Sequence, residues 1–363
     1  MRVLVVNAGS SSLKLRLLDD RDALTMEHDL PVTDGRSDLN AVAKSLAGHP
    51  PPDAIGHRIV HGGERHRQAV RIDAEVLGDL RALSALAPLH QLPALEAEAA
   101  VARALPGTPS VACFDTAFHG TLPAASATYA LPRAWRERWP LRRYGFHGLS
   151  HAYAARRAGE LLGRPVEQLR IVSCHLGAGA SLCAIDRGRS VDTTMGFSPM
   201  EGLVMATRSG SVDPGLLLWL LERECLSAVT IAHALEHESG LLGLAGSADM
   251  REILERRGEG DREATLAVEV YVHRLRAGIA SMAVAMDGLD VLLFTGGVGE
   301  HASAVRAEAA TGLGMLGVAL DPERNAGADA DADVSADGAA VRSLVIGARE
   351  DVQIAREVRN VLD

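Results

Sequence analysis

The sequence predicts an α/β protein of two lobes that hold one anionic ligand, and three observations carry that expectation. Three apolar strands each empty into a run of small residues: Val3–Val6 into Asn7-Ala8-Gly9-Ser10-Ser11-Ser12, Ile171–Cys174 into His175–Ser181, and Asp290–Phe294 into Thr295-Gly296-Gly297-Val298-Gly299-Glu300. Two isolated arginines, Arg58 and Arg208, are read as strand residues, where a buried cation is costly unless it meets an anion. The chain of 363 residues has room for two domains of ordinary size.

Composition excludes several function classes. Aromatic residues make up 3% of the chain and the formal charge is −10, so neither a base-stacking surface nor a basic face for nucleic acid is expected. Cys113, Cys174, Cys183 and Cys225 form no CxxC pair and read as reduced, mostly buried thiols of a cytoplasmic protein. No apolar run reaches membrane-spanning length, so no membrane partner is expected.

Taken in order, Leu13–Leu17 alternates with period two and reads as an antiparallel partner of the first strand. The Asn-Gly-Ser turn between them exposes amide donors toward a phosphate, with Asn7 placed to orient a metal-bound water; the same residues also make an ordinary solvent-facing turn. The stretch 53–63 places Ile55, Ile59 and Val60 in a strand carrying His57, Arg58 and His61, where an internal ion pair competes with an anion as the partner of Arg58. Helices are expected over Ala74–Leu86 and Pro93–Leu105, with Ala87–Gln91 as connector. Asp115 follows the strand Ser110–Phe114 at its carboxyl end, where open α/β sheets place ligands, though an N-cap role competes. Helix propensity covers Thr128–Trp139, and Arg142–His151 opens a helix ending near Leu162. His147 and His151 share a helical spacing, but no HExxH pattern supports zinc; His233 and His237 read as surface residues.

The segment 171–210 reads as strand, small-residue loop, strand, followed by a polar segment that is expensive to order unless it lines a site. Glycines 177 and 179 let amide groups converge on an anion, with a tight hairpin turn as the plainer reading. Farther on, Pro214–Leu221 reads as a helix and Leu241–Ser247 as a glycine-broken connector. The helix Arg262–Met286 presents Leu266, Val270, Leu275, Ile279, Met282 and Met286. A solvated loop is expected over Asp329–Asp337, a strand over Arg342–Ile346, and a closing helix over Val352–Leu362. Phosphoryl transfer to or from a small acid fits this pattern, because it asks mainly for positioning and positive charge and a carboxylate acceptor needs no strong base.

Nine stretches spread in order along the chain carry a resemblance: 7–14 (NAGSSSLK), 57–63 (HRIVHGG), 87–90 (APLH), 114–119 (FDTAFH), 143–151 (RYGFHGLSH), 175–181 (HLGAGAS), 192–210, 241–252 and 294–300 (FTGGVGE). On these the chain resembles the acetokinase family, within the larger group of sugar kinases, actin and the Hsp70 ATPase domain. The resemblance implies a two-lobed α/β fold of ribonuclease H-like, duplicated βββαβαβα domains, with a cleft between lobes and a homodimer. It implies an N-terminal lobe of residues 1–116 completed by the C-terminal helix 351–363, and a second lobe of 117–350 carrying the nucleotide site and the subunit contact. The implied activity is direct in-line transfer of the ATP γ-phosphoryl group to acetate, giving ADP and acetyl phosphate. Propionate or another short acyl acceptor is the first alternative, and an ATP-switched binding module the second.

The resemblance also implies site roles. Arg58, Arg208, Asp115, His147 and His175 would be catalytic, and Val60, Leu89, Phe146 and Pro199, with Arg58, would bind the acyl substrate. Lys14, His175, Leu176, Gly177, Ala178, Gly179, Gly296, Gly297, Val298 and Gly299 would surround the nucleotide. Asn7 and Glu350 would hold Mg2+, or Mn2+ in its place. Three departures bear on the site: Ala178 stands where the family usually has asparagine, Gln91-Leu92 where it has Asn-Pro, and Gly347-Ala348-Arg349 where it has Pro-Thr-Asn before Glu350.

Overall fold

The computed structural model of the chain describes residues 1–8, 12–31, 44–46, 48–85 and 88–363; of residues 85 and 88–90 it describes the backbone only. The turn at Gly9–Ser11 therefore lies outside the described residues. The chain divides into two compact units, one of Met1–Gly120, Phe146–Tyr153 and Arg349–Asp363, the other of Thr121–Gly145 and Ala154–Ala348. Relative to the boundaries expected from sequence, the first unit also takes in 117–120, 146–153 and 349–350.

The first unit is built on a six-stranded sheet of β1 (Val3–Ala8), β2 (Ser12–Leu18), β3 (Leu24–Pro31), β4 (Ala54–Ile59), β5 (Val70–Arg71) and β6 (Ser110–Phe114), in the order β3-β2-β1-β4-β6-β5. β2 and β3 form an antiparallel meander from β1, whereas β4 and β6 run parallel to it. Alternation in β2 sends Leu13, Leu15 and Leu17 to one face, where Leu4, Val6 and Ile55 meet Ala97 and Val101 of the helix Pro88–Ala104. The opposite face of β4 is covered by the C-terminal helix Glu350–Leu362. Gly56 makes that approach close: a Cβ there would stand 2.5 Å from Ile354 Cγ2 and 2.8 Å from Val358 Cγ2.

The second unit repeats the plan. β7 (Arg170–Leu176), β8 (Ala180–Asp186), β9 (Arg189–Thr193), β10 (Val291–Thr295), β11 (Ala332–Asp333) and β12 (Arg342–Val345) are ordered β11-β12-β10-β7-β8-β9. Again a meander precedes two parallel additions, β10 beside β7 and β12 beside β10. The long helix Arg262–Ala285 covers this sheet. The two-lobed α/β class expected from sequence is thus the observed one, and the matching strand orders are the signature of duplication.

Several local expectations are corrected. The helix expected from Pro93 starts at Pro88 and carries Pro93 within it, so the expected connector 88–91 is its first turn. Leu241–Ser247 is not a connector: Gly240–Ala245 is a helix closed by Gly246. Gly296–His301 is helical, so the glycines belong to a helix and not to a loop before one. Residues 332–333 form the edge strand β11, and Val334 and Ser335 beside them are buried, which a solvated loop would not allow. The region 128–139 holds one short helix, Arg133–Arg138, after another at Ala124–Ala127, and the next helix begins at Gly148 rather than near Arg142. On the long helix, Leu266 is 52% exposed; Ala264, Ala267, Val268, Tyr271 and Val272 join Leu275, Ile279 and Met282 on the buried side. Small alanines carry much of that packing face, so the largest apolar residues alone mark it poorly. Three cysteines are buried and Cys225 is exposed, none of them bonded to another. Among the described residues no helix is long and apolar enough to cross a membrane.

The contact at Gly56 gives a test of how firmly the C-terminal helix is seated. Gly56→Ala should lower the unfolding free energy by about 1–3 kcal/mol through overpacking against Ile354 and Val358, measured by urea unfolding. A change under about 0.5 kcal/mol would show that the helix yields without cost.

Candidate active site

In the first unit the carboxyl ends of β1, β4 and β6 lie side by side, and each delivers one polar side chain. Asn7 comes from β1, Arg58 from β4, and Asp115 directly follows β6. Arg58 Nε donates to Asp115 Oδ1 at 3.1 Å and Nη2 to Oδ2 at 2.6 Å, a planar two-point pairing. Its Nη1 donates to Asn7 Oδ1 at 3.1 Å, and Glu350, the first residue of the C-terminal helix, approaches Nε at 3.6 Å. Burial works against the cation, and Asp115 and Glu350 more than offset it, so the guanidinium is held charged above the ordinary arginine range. The internal ion pair weighed from the sequence is therefore present. Among the described residues it uses three of the five arginine N–H donors, which does not saturate the group.

Behind this cluster the C-terminal helix carries Glu357, which accepts from Gln353 Nε2 at 3.1 Å and neighbours the Cys113 thiol. Its Oε2 is buried without a hydrogen-bond partner. Burial, with a smaller push from Asp115, raises its carboxyl to about 7. Sequence reasoning did not single out Glu357; its spacing of seven from Glu350, two helical turns, is the signal that puts both on one face.

Phe146 and His147 also belong to the first unit. His147 adopts a left-handed conformation with φ of 57°, immediately before the helix Gly148–Leu162. The peptide before it is fixed by buried His119, whose Nε2 bonds Phe146 O at 2.9 Å and must donate because a carbonyl only accepts. Burial holds His119 down to about 4, so the ring is neutral at pH 7. Phe146 is buried edge-on against His61 at 5.7 Å between ring centres, and Val60 is half-buried beside that strand end. Leu89 falls in the helix Pro88–Ala104, and its side chain lies outside the described residues. Lys14 is exposed on β2, directly across from Asn7. Gln91 is buried and donates to His61 O at 3.2 Å, so this departure is a core residue.

In the second unit the β7–β8 hairpin turns at 177–179, with His175 half-buried at the end of β7. The tight hairpin turn weighed from the sequence is present. Gly177 N–H is spent on Gly179 O at 2.9 Å, so that amide is not left to converge on an anion as the sequence reading expected. Leu176 has its side chain fully buried; what it offers is backbone, against which Gly296 packs so closely that a Cβ would stand 2.9 Å from Leu176 O. Gly296 also has φ of 77°, a second reason for glycine.

Next to that contact lies a cavity of about 540 Å³ lined by Gly177, Ala178, Ala206, Leu241, Tyr271, Gly297, Val298 and His301, and by the start of the helix Met250–Gly258. Its size and largely apolar wall are those of a small-ligand site. Two glycine segments singled out in the sequence thus meet at one cavity, with Gly299 buried behind them. The lining by Asp249–Arg251, Leu254 and Tyr271 was not foreseen. The stretch 241–252 carries a signal for Asp249–Arg251 alone; Leu254 and Tyr271 carry none.

Arg208 lies in an irregular segment, not in a strand. It donates to Pro199 O at 3.0 Å and lies 3.6 Å from Met205 Sδ. Among the described residues no carboxylate pairs with it; burial pulls its guanidinium below the ordinary range and the more distant Glu236 opposes that pull. Pro199 is half-buried within the same polar segment. This segment is ordered from within: Glu201 accepts from Tyr129 at 2.5 Å and from Arg143 at 2.7 Å, and Arg143 also holds the carbonyls of Thr194 and Met195.

Comparison with known proteins decides the family. The family description "Acetokinase family" matches residues 37–356. The chain belongs to the acetokinase family. It is 50% identical over 307 residues to an acetate kinase of Gloeobacter violaceus, covering 84% of this chain and 76% of that one. It is 44% identical to an acetate kinase of a Synechococcus strain, covering 100% of this chain and 99% of the other. Among solved structures, the acetate kinase of Porphyromonas gingivalis matches with a TM-score of 0.91 at 35% identity, covering all of both chains. A propionate kinase of Francisella tularensis matches with 0.93 at 33%, covering 99% of this chain and 100% of that one.

The family implies a divalent cation, and the donor chemistry fits one. Asn7 and Glu350 present hard oxygen atoms around the same guanidinium. Magnesium keeps several waters and takes one or two carboxylates together with substrate phosphates. Among the described residues no group of three His, Cys, Asp or Glu side chains is placed to hold an ion, and such a cation requires none.

Glu357 gives this site a measurable pH signature. Its folded-state value lies above the ordinary 4.5, so the stability it contributes is complete below about 4.5 and is lost as pH rises through about 7. Glu357→Gln should therefore gain on the wild type by up to about 3 kcal/mol between pH 5 and pH 8, in parallel denaturant titrations. Parallel stability curves for the two proteins would show that the carboxyl ionises normally.

Proposed function

We propose that this chain catalyses the reversible transfer of the ATP γ-phosphoryl group to the carboxylate of acetate, giving ADP and acetyl phosphate. The observation that carries the proposal is Arg208: a largely desolvated cation with no carboxylate partner among the described residues, in a family whose relatives are acetate kinases. Such a group is poised to take an anion as its partner.

In this reading a carboxylate oxygen of acetate attacks the γ-phosphorus in line, and the bond from that phosphorus to the β–γ bridging oxygen breaks with its electron pair leaving on ADP. The acceptor is already ionised at pH 7, so no proton has to be removed. Arg208 offsets charge on the transferring group, and His147 and His175 donate to its oxygens. Arg58, kept charged and oriented by Asp115, has donors remaining for the acyl carboxylate. Val60, Leu89, Phe146 and Pro199 enclose the methyl group. Gly177, Ala178, Gly297 and Val298, which line the cavity of the second unit, receive the nucleotide there, with Gly179 beside them and Lys14 as a further cation for its phosphates. Asn7 and Glu350 would hold Mg2+ or Mn2+, which when bound neutralises phosphate charge.

The exposed apolar residues Leu216, Leu218, Trp219 and Leu221, spread around the helix Pro214–Glu222, favour a homodimer that covers this helix. We place the protein in the cytoplasm, where ATP and acetate meet. A second reading, propionate as acceptor, draws support from the full-length likeness to the Francisella propionate kinase.

Incubation with ATP, magnesium and acetate, trapped with hydroxylamine, should yield acetohydroxamate that disappears with EDTA. Propionate should be used with a kcat/KM lower by about 10- to 200-fold. A preference for propionate would install the second reading, and ATP hydrolysis independent of any acid would replace both with an ATP-switched module. Arg208→Ala should lower kcat by about 100- to 1,000-fold with its circular dichroism unchanged. Near-normal turnover in that variant would remove Arg208 from the chemistry.

A further inference from the structure

Arg306, on the helix Ser303–Thr311, is 1% exposed and has no carboxylate partner among the described residues. Burial alone sets its environment, pulling the guanidinium below the ordinary arginine range. What compensates is an unusually complete set of hydrogen bonds. Nη1 donates to Gly299 O at 2.9 Å and to Glu300 O at 2.7 Å, Nε to Asn325 Oδ1 at 2.8 Å, and Nη2 to Asn325 O at 2.7 Å. Asn325 is itself buried, and its Nδ2 donates to Ser303 O at 2.9 Å.

The two carbonyls gripped by Arg306 lie in the last turn of the short helix Gly296–His301, whose residues Gly297 and Val298 line the cavity. The other end of that helix is fixed from the opposite direction. Glu300 Oε1 accepts from Gly296 N–H at 2.9 Å and from Ala348 N–H at 3.0 Å. A segment with three glycines in its first four residues has little propensity to hold a helix by itself, so outside contacts must fix it. Removing a buried cation that binds only carbonyl groups frees those groups and the helix end together.

We propose that Arg306 is a positioning residue for nucleotide binding: through Gly299 and Glu300 it fixes the glycine-rich wall of the cavity at the spacing a nucleotide requires. It touches no substrate, and Asn325 is its brace. The inference rests on the proposed function in one respect, that the nucleotide occupies this cavity.

The test uses the full-length protein and reads ADP binding by calorimetry alongside steady-state kinetics. Arg306→Met, similar in length and without donors, should weaken ADP binding and raise KM for ATP by tenfold or more, while KM for acetate changes less than twofold. Arg306→Lys, which can reach the carbonyls from one nitrogen but not span to Asn325, should fall between. A general loss of packing would lower the melting temperature and the active fraction while leaving both constants of the surviving enzyme unchanged, and that result overturns the proposal. If Arg306→Met does not fold, Asn325→Ala decides: a threefold or greater loss of ADP affinity supports the role, and unchanged affinity in the folded variant overturns it. Wild-type protein that binds no ADP would overturn the cavity assignment and this proposal with it. Wild type that binds ADP equally well as folded Arg306→Met overturns the proposal alone.

Discussion

The pairing of Arg58 with Asp115 is the constraint on which the first unit depends. A guanidinium at the end of a central parallel strand has no inexpensive place inside a sheet, and the neighbouring strand end supplies the carboxylate that holds it in one plane. Because β1, β4 and β6 are adjacent and parallel, Asn7, Arg58 and Asp115 reach the same edge without any loop having to travel. The C-terminal helix then adds Glu350 to that edge, and it can do so because Gly56 lets it sit against β4. Three strands and a returning helix thus converge on one cation, and the cost of desolvating it is offset by the carboxylates of Asp115 and Glu350 and by the neutral amide oxygen of Asn7.

The second unit places different chemistry at the matching edge. Where the first has Asn7, Arg58 and Asp115, the second has the 177–179 turn after β7, Gly296 after β10 and the approach to Ala348 after β12. Here the side chain that ties the strand ends together is an anion: Glu300 takes the amides of Gly296 and Ala348. One edge therefore carries charged side chains held in place by each other, and the other carries backbone and small residues around a cavity. The duplicated sheet provides the same scaffold twice, and the residue types at the strand ends decide what each copy can bind.

The strands β1, β6, β7 and β10 were legible because each holds a short apolar run that ends in small or charged residues, whereas the edge strands β3, β5, β9 and β11, which carry more polar residues or span only two positions, were not. The glycine segments at 177–179 and 296–299 were legible for the same reason, and they do meet at one cavity. What the sequence hid were relationships set by partners distant along the chain. Glu357 and Arg306 carry no motif, and only burial against residues far from them in sequence reveals what they do. The helix start at Pro88 was missed because proline at 93 reads as a boundary, although the chain carries it within a helical turn. The apolar stripe of the long helix was misread because Ala264 and Ala267 pack where larger residues were sought, while Leu266 faces outward.

The departure at 178 illustrates how a substitution at a site can leave the scaffold untouched. The hairpin there is held by main-chain bonds, Gly177 N–H to Gly179 O and Ala206 N–H to Ala178 O, neither of which involves the side chain at 178. Ala178 is exposed at the cavity wall, so exchanging an amide for a methyl group changes what the wall offers a ligand and not how the wall is built. Arg349, the other departure that brings new charge, is committed to Asp351 through three contacts of 2.9 to 3.1 Å and is held within its own helix start. Its charge is therefore matched locally by Asp351. Ala178 brings no side-chain donor to the cavity wall, so the surrounding backbone, fixed through Glu300 and Arg306, carries the task of shaping it.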